Sequence, residues 1–289
     1  MSINKLTLKK RLRSYKQHPA SLIMLIFVCL SALITVFVLI SIVGYVLIKG
    51  IPNITPKLFE LKYTSENVSM MPAIINTLTI TILSLILAVP MGIFSAVYLV
   101  EYAKRGSKLV KLIRLTAETL SGIPSIVFGL FGYLIFVIAM GFRYSIISGA
   151  LTLAIMILPT IMRTTEEALI SVPDIYREGS FGLGAGRLRT VFRIVLPSAV
   201  PGILSGIILS IGRIVGETAA LIYTAGTVAG IPDSIFSSGR TLSVHMYALL
   251  SEGLYTEQAY ATAVVLLIMV IIINAFSSLI AKRISGKKG

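Results

Sequence analysis

Hydrophobic and polar positions along this chain fall into long blocks rather than short periods. Ala20–Ile48 is an almost unbroken apolar run, and the polar stretch Gly50–Met71 that follows holds Pro52 and Pro56. Further apolar blocks occupy Ala73–Val100, Ile123–Met140, Ser145–Met162, Ala199–Gly226 and Ala259–Ala281. A helix needs roughly 20 residues to cross the hydrocarbon, and a helix satisfies its own backbone polar groups there. The pattern therefore predicts an all-α integral membrane protein with six transmembrane helices. Pro90 and Gly92 interrupt the second block, which neighbouring helices can tolerate. Gly129 and Gly132 in the third block are expected points of close helix packing.

Composition narrows the class. Of 289 residues, 56% are hydrophobic and only 13% charged, with a mean hydropathy of +0.92. Soluble domains carry about twice that charge. The net charge of +14 would suit nucleic acid, but the placement of the cations gives a better account. Six lie in residues 1–19, five between Lys104 and Arg114, five between Arg163 and Arg193, and four in the tail from Lys282. The opposite loops hold five: Lys49, Lys57, Lys62, Arg143 and Arg240. This bias predicts cytoplasmic N- and C-termini in a multi-pass plasma-membrane protein. The expected layout is a basic segment 1–19, a transmembrane domain 20–281 and a tail 282–289. Ala20–Ile48 exceeds the 7–15-residue core of a cleaved signal and reads as an anchor. A single cysteine, Cys29, excludes an internal disulfide framework, and His18 and His245 are too few for a metal cluster.

One polar stretch stands out, residues 166–197, which is dense in charge and glycine. Ser171-Val172-Pro173-Asp174 is a helix-start pattern, and Gly182, Gly184 and Gly186 end that helix. Arg187–Val195 can form a second short helix, and Leu196-Pro197 leads into the next block. The predicted knob has an apolar face (Ile175, Phe181, Leu183) and a cationic flank (Arg187, Arg189, Arg193). On residue types alone, a docking element and a plain surface connector stand level. A dinucleotide-binding reading of the glycines fails, since no strand precedes them. There is no Walker A pattern, so the chain is not itself the ATPase.

The spacing Glu178, Gly184, Ile194, Leu196-Pro197 resembles the "EAA" loop of type I ABC importer permeases. That resemblance implies a MetI-like fold and a loop, including Gly179, Ser180, Gly184 and Ile194, that inserts into a cleft on the ATPase subunit. Gly179 and Ser180 stand where the family pattern has two alanines. Arg163 through Leu169, Val172-Pro173-Asp174, Pro201-Gly202-Ile203, Gly212 through Ala219 and Thr241 through Tyr247 resemble PstA-type permeases of phosphate importers. The family implies a sister permease of the PstC type, an ATPase dimer and an extracytoplasmic phosphate-binding protein as partners. ATP and Mg would sit on the ATPase, with no cofactor on this chain.

Within the fifth block, Arg213 and Glu217 are four residues apart, which would place them on one helical face. Gly212 and Gly216 would allow close helix contact there. Intramembrane charges face a bundle interior or a watery path. The pair is therefore either a structural salt bridge or a substrate pathway, in which the Arg213 fork would suit an oxyanion. Sulfate, molybdate and phosphonate fit such a pair as well as phosphate does. A stand-alone ion-coupled carrier would need further intramembrane ligands, and a membrane enzyme a nucleophile and base. Neither is evident. Glu118 reads as a capping or solvated group, and His245 as a packed histidine or a pH sensor.

Overall fold

The computed structural model describes residues 19–104 and 106–286. The basic N-terminal segment, Arg105 and the last lysines of the tail lie outside the described residues. The described residues are overwhelmingly helical, with no strand among them. The first helix, α1 (Pro19–Gly50), is apolar along its whole length and long enough to cross a membrane.

The remaining unit runs from Gly50 onward. It contains α2 (Met71–Val97, continued to Tyr102 as a π-helical turn), α3 (Lys108–Ser121) and α4 (Ser125–Gly132, continued to Ala139). Then follow α5 (Ile146–Ile170), α6 (Asp174–Gly182), α7 (Arg187–Thr190) and α8 (Leu196–Val215). The chain closes with α9 (Ala219–Thr224), α10 (Leu242–Glu252) and α11 (Thr256–Gly286). Five helices are long and apolar enough to span a membrane, or six if α3 and α4 count as one bent pair.

The central helix is α5, packed against α2 and α8. It is 67% buried along its most apolar stretch, whereas α11, more apolar, is only 6% buried. Apolarity here marks a surface that faces lipid, while small and polar residues mark helix contacts. Leu153, Met156, Ile157 and Ile161 of α5 meet Ile80 of α2, Phe128 of α4, Ile214 of α8 and Leu221 of α9 in one core. The Ser84 hydroxyl donates across to the Ala150 carbonyl at 3.1 Å, and Thr77, Thr81 and Thr152 donate to carbonyls one turn earlier. These four buried hydroxyls are thus satisfied by backbone oxygen.

Glycine sets several close helix contacts. A Cβ on Gly129 of α4 would lie 2.8 Å from the Ala220 Cα of α9, and one on Gly132 would strike the Thr152 hydroxyl of α5. Both expected packing points are therefore real. Gly202 and Gly206 of α8, four residues apart, press on Ala168 and Thr164 of α5. Gly212 and Gly216 do not act in this way: nothing lies within 4 Å of a Cβ on Gly212, and one on Gly216 would meet only the carbonyl of Gly212.

Two predicted blocks are broken. The third is preceded by α3, an amphipathic helix bent 104° from α4, where a plain cationic loop was expected. Leucines 109, 112 and 115 are exposed on it beside Lys108 and Lys111. The α4 segment has 8 α-helical and 7 π-helical residues, about 20 Å of helix against about 30 Å of hydrocarbon. The fifth block, expected as one helix over Ala199–Gly226, stops at Val215 and restarts at Ala219.

Candidate functional site

Residues 166–197 fold as a helical hairpin. Pro173, with extended ψ, precedes α6, and Asp174 sits in its first turn where a carboxylate favours the positive helix end. The turn after α6 is made at Gly184, whose φ of +79° is left-handed backbone that glycine adopts without strain. The Gly184 N–H donates to the Phe181 carbonyl at 2.9 Å and that of Ala185 to Ser180 at 3.1 Å. Across the hairpin the hydroxyls of Ser180 and Thr190, both buried, hydrogen-bond at 2.8 Å.

The second arm is not the separate short helix expected over Arg187–Val195. It runs through the π-helical segment Val191–Val195 straight into α8, giving one continuous rod over Arg187–Val215. Pro197 has no N–H to give to the Arg193 carbonyl, and a π-helical register absorbs that lost bond without ending the helix.

The hairpin exposes its apolar face: Ile175 is 69%, Phe181 47% and Leu183 91% exposed. Gly179, Ser180, Gly184 and Ile194, predicted as docking residues, converge on one groove of about 530 Å³, lined also by Leu183, Arg189 and Arg193. Glu178 is exposed but outside that lining, while Leu196 and Pro197 form the start of α8.

Arg177 anchors the hairpin to the rest of the protein. Its Nη2 and Nε donate to one oxygen of Glu101 at 2.8 and 3.1 Å. The same guanidinium donates to the carbonyls of Leu169 and Val172 and to Asp174. The side chains of Arg177 and Glu101 are only 14% and 8% exposed. Nearby, the Arg187 guanidinium stacks over the Tyr102 ring at 5.4 Å, and Arg114 pairs with Glu166. Glu101 ends a long apolar block, and only its position as an acid at the membrane boundary could have singled it out in the sequence.

Arg213 and Glu217 are not paired. Arg213 lies half-buried in the last turn of α8 and forms no ion pair or hydrogen bond among the described residues. Glu217 falls in the break between α8 and α9, so the helical spacing that would bring the two together is lost. Its carboxylate, 8% exposed, instead accepts from the Ala220 N–H at 3.1 Å and caps α9. The Glu217 carbonyl accepts from the Ser243 hydroxyl at 2.5 Å, tying the break to α10. In the same region Arg240 and His245 are almost wholly buried.

A family model described as "Binding-protein-dependent transport system inner membrane component" matches residues 88–287, most of the chain. The chain belongs to that family. This inner membrane component is 34% identical over 263 residues to YqgI of Bacillus subtilis (strain 168), described as a probable ABC transporter permease protein. The match covers 85% of this chain and 89% of that protein. It is 37% identical over 221 residues to the phosphate transport system permease protein PstA of Mycobacterium leprae, covering 74% and 72% of the two. The PstA of Pasteurella multocida is 36% identical over 242 residues, 79% of this chain and 82% of that one. Among solved structures, a chain of a bacterial alginate ABC transporter superposes with a TM-score of 0.68 at 17% identity, covering 94% and 98%. A chain of the MetNI methionine ABC transporter gives 0.57 at 18% identity, covering 84% and 97%. The inner membrane component thus has the fold of ABC importer permeases, and α2 to α11 hold the matched residues.

Proposed function

We propose that this chain is the permease subunit of an ABC importer that carries inorganic phosphate across the plasma membrane into the cell. The observation that carries the reading is the set of PstA relatives at 36–37% identity over most of both chains, joined to a hairpin with an exposed apolar face and groove. The chain performs no bond chemistry in this reading. ATP and Mg are used by a separate ATPase dimer, into which the groove-bearing hairpin docks through Gly179, Ser180, Gly184 and Ile194, with Glu178 at its edge.

In this reading the distribution of cations sets the hairpin and both termini in the cytoplasm. A sister permease completes the membrane unit, and an extracytoplasmic binding protein delivers phosphate to the opposite face. Arg213 contributes to the anion path, where a cation without a bound carboxylate can exchange partners with a passing oxyanion. Glu217 shapes the path by fixing the α8–α9 break, and does so as a cap. The Arg213 guanidinium is itself favoured at the C-terminal end of α8.

The test is uptake of radiolabelled phosphate by cells carrying the operon, together with copurification through a tag on this chain. The expected result is phosphate uptake that requires ATP and recovery of the ATPase and sister permease. Uptake of sulfate or molybdate in place of phosphate would overturn the substrate, and active transport by the chain alone would overturn the subunit role. Arg213→Gln is expected to abolish uptake with the complex intact.

A further inference from the structure

A second cation lies buried in the segment between α9 and α11. Arg240 is 5% exposed, and its Nε and Nη2 are buried without hydrogen-bond partners. Its guanidinium stacks on the Tyr63 ring at 4.8 Å, and Tyr63 meets the His245 ring edge-on at 6.2 Å. His245 is 1% exposed, and neither of its ring nitrogens makes a hydrogen bond. Four unpartnered polar atoms therefore gather around one tyrosine ring.

The backbone here is firmly placed. The Arg240 N–H donates to the Val228 carbonyl at 2.9 Å, and the Asn76 amide of α2 donates to the carbonyls of Arg240 and Gly230 at 3.1 Å. Thr241 caps α10 by accepting from the Val244 N–H. Arg240 forms no ion pair among the described residues, and no carboxylate acts on His245. Burial and the Arg240 charge pull the imidazole pKa down to about 3, against a smaller opposite effect of the Val68 carbonyl, which lies outside hydrogen-bond geometry. The cluster is thus a neutral imidazole beside a permanent cation.

Stacking on Tyr63 occupies the face of the guanidinium and leaves its edge. Nε–H and Nη2–H are one of the two parallel donor pairs with which arginine grips an oxyanion bidentately. Buried donors of a charged group are otherwise costly, and such groups normally have a partner. We propose that Arg240, His245 and Tyr63 form a binding site for a small oxyanion of the phosphate class, separate from Arg213. Neutral His245 offers one N–H donor and one acceptor nitrogen. The acceptor suits the proton of hydrogen phosphate, which sulfate lacks. A single formal positive charge holds the anion without trapping it, as a transport path requires. The choice of phosphate rests on the function proposed above, while the site itself rests on the cluster.

Histidine-selective 15N spectra of the complex in lipid nanodiscs, without binding protein, test this directly. The chain holds only two histidines, and His245→Asn assigns the relevant signal by its loss. Inorganic phosphate is expected to shift the His245 ring resonance saturably, with sulfate acting more weakly. Arg240→Lys, which keeps the charge and loses the fork, should raise the half-saturating phosphate concentration roughly tenfold or more, and Arg213→Gln should leave it unchanged. A wild-type resonance that no oxyanion moves overturns the site, as does a phosphate shift that Arg240→Lys leaves intact. A shift by sulfate or molybdate but not phosphate keeps the oxyanion site and overturns the phosphate reading.

Discussion

One guanidinium ties the first arm of the hairpin to the end of α2. Replacing Arg177 by Met removes two bonds to Glu101, two to backbone carbonyls and one to Asp174. It leaves the Glu101 carboxylate 8% exposed with its cation gone. Breaking a buried pair from one side costs about 3–5 kcal/mol. The contact with exposed Asp174 adds about 0–1 kcal/mol at most. Because the membrane core does not depend on Arg177, the loss should appear as local opening of α6 and α7. A change of about 3 kcal/mol corresponds to roughly 150-fold faster exchange of protected amides. Hydrogen exchange read by mass spectrometry on peptides covering residues 174–195 measures it. Adding Glu101→Gln removes the stranded charge, so the double variant should recover part of the protection. Exchange in Arg177→Met within threefold of wild type would refute the anchoring role, as would a double variant whose losses simply add.

Four further predictions follow from local geometry. Gly184→Pro removes the N–H bonded to Phe181 and forces φ from +79° toward −65°; ATP-driven uptake should vanish while membrane insertion, read by fractionation, persists. Gly129→Ala puts a Cβ 2.8 Å from backbone at Ala220 and should cost about 1–3 kcal/mol by overpacking, seen as a lowered Tm in detergent. Gly179→Ala meets nothing within 4 Å and should stabilise α6 by about 0.5–1 kcal/mol. The fourth concerns acid. His245, between the spans, holds its proton less tightly when native than when unfolded, with a pKa of about 3 against 6.5. Stability is therefore full above pH 6.5 and falls as the pH drops toward 3. Between pH 6.5 and 5 the loss should be about 2 kcal/mol, and a thermal scan of His245→Asn should show a flatter profile.

Hydrophobic blocks made the spans legible because lipid selects for apolar length, and α1, α2, α5 and α11 fall where the blocks predict. The same signal hides breaks. Gly212 through Thr218 reads as continuous apolar helix with one charge pair. Only the capping use of Glu217 and the packing of Gly202 and Gly206, ten residues earlier than expected, reveal that the helix has ended. Amphipathic α3 was hidden for the opposite reason: its lysines looked like a loop's topology signal, and the leucines interleaved with them carried the helical period. The hairpin was readable almost throughout, since glycine at a left-handed turn and proline at an element start are local requirements. Arg177 with Glu101 and Arg240 with Tyr63 were not, because each pairs residues more than seventy positions apart.

Under the proposed function, continuity of the rod would join the hairpin and Arg213 in one device. Arg187–Val215 begins in the hairpin's second arm and ends two residues beyond Arg213, at the break capped by Glu217. A rigid helix transmits axial displacement with little loss, and the π-helical segment at Val191–Val195 is the place along it where register can change. Glycines 202 and 206 let α8 lie so close to α5 that sliding, rather than separation, is the motion the packing permits. Movement of the hairpin would therefore arrive at Arg213 as a shift along the helix axis. The Ser243–Glu217 bond holds the far side of the break to α10, so the displacement would open or close the break itself, next to Arg213.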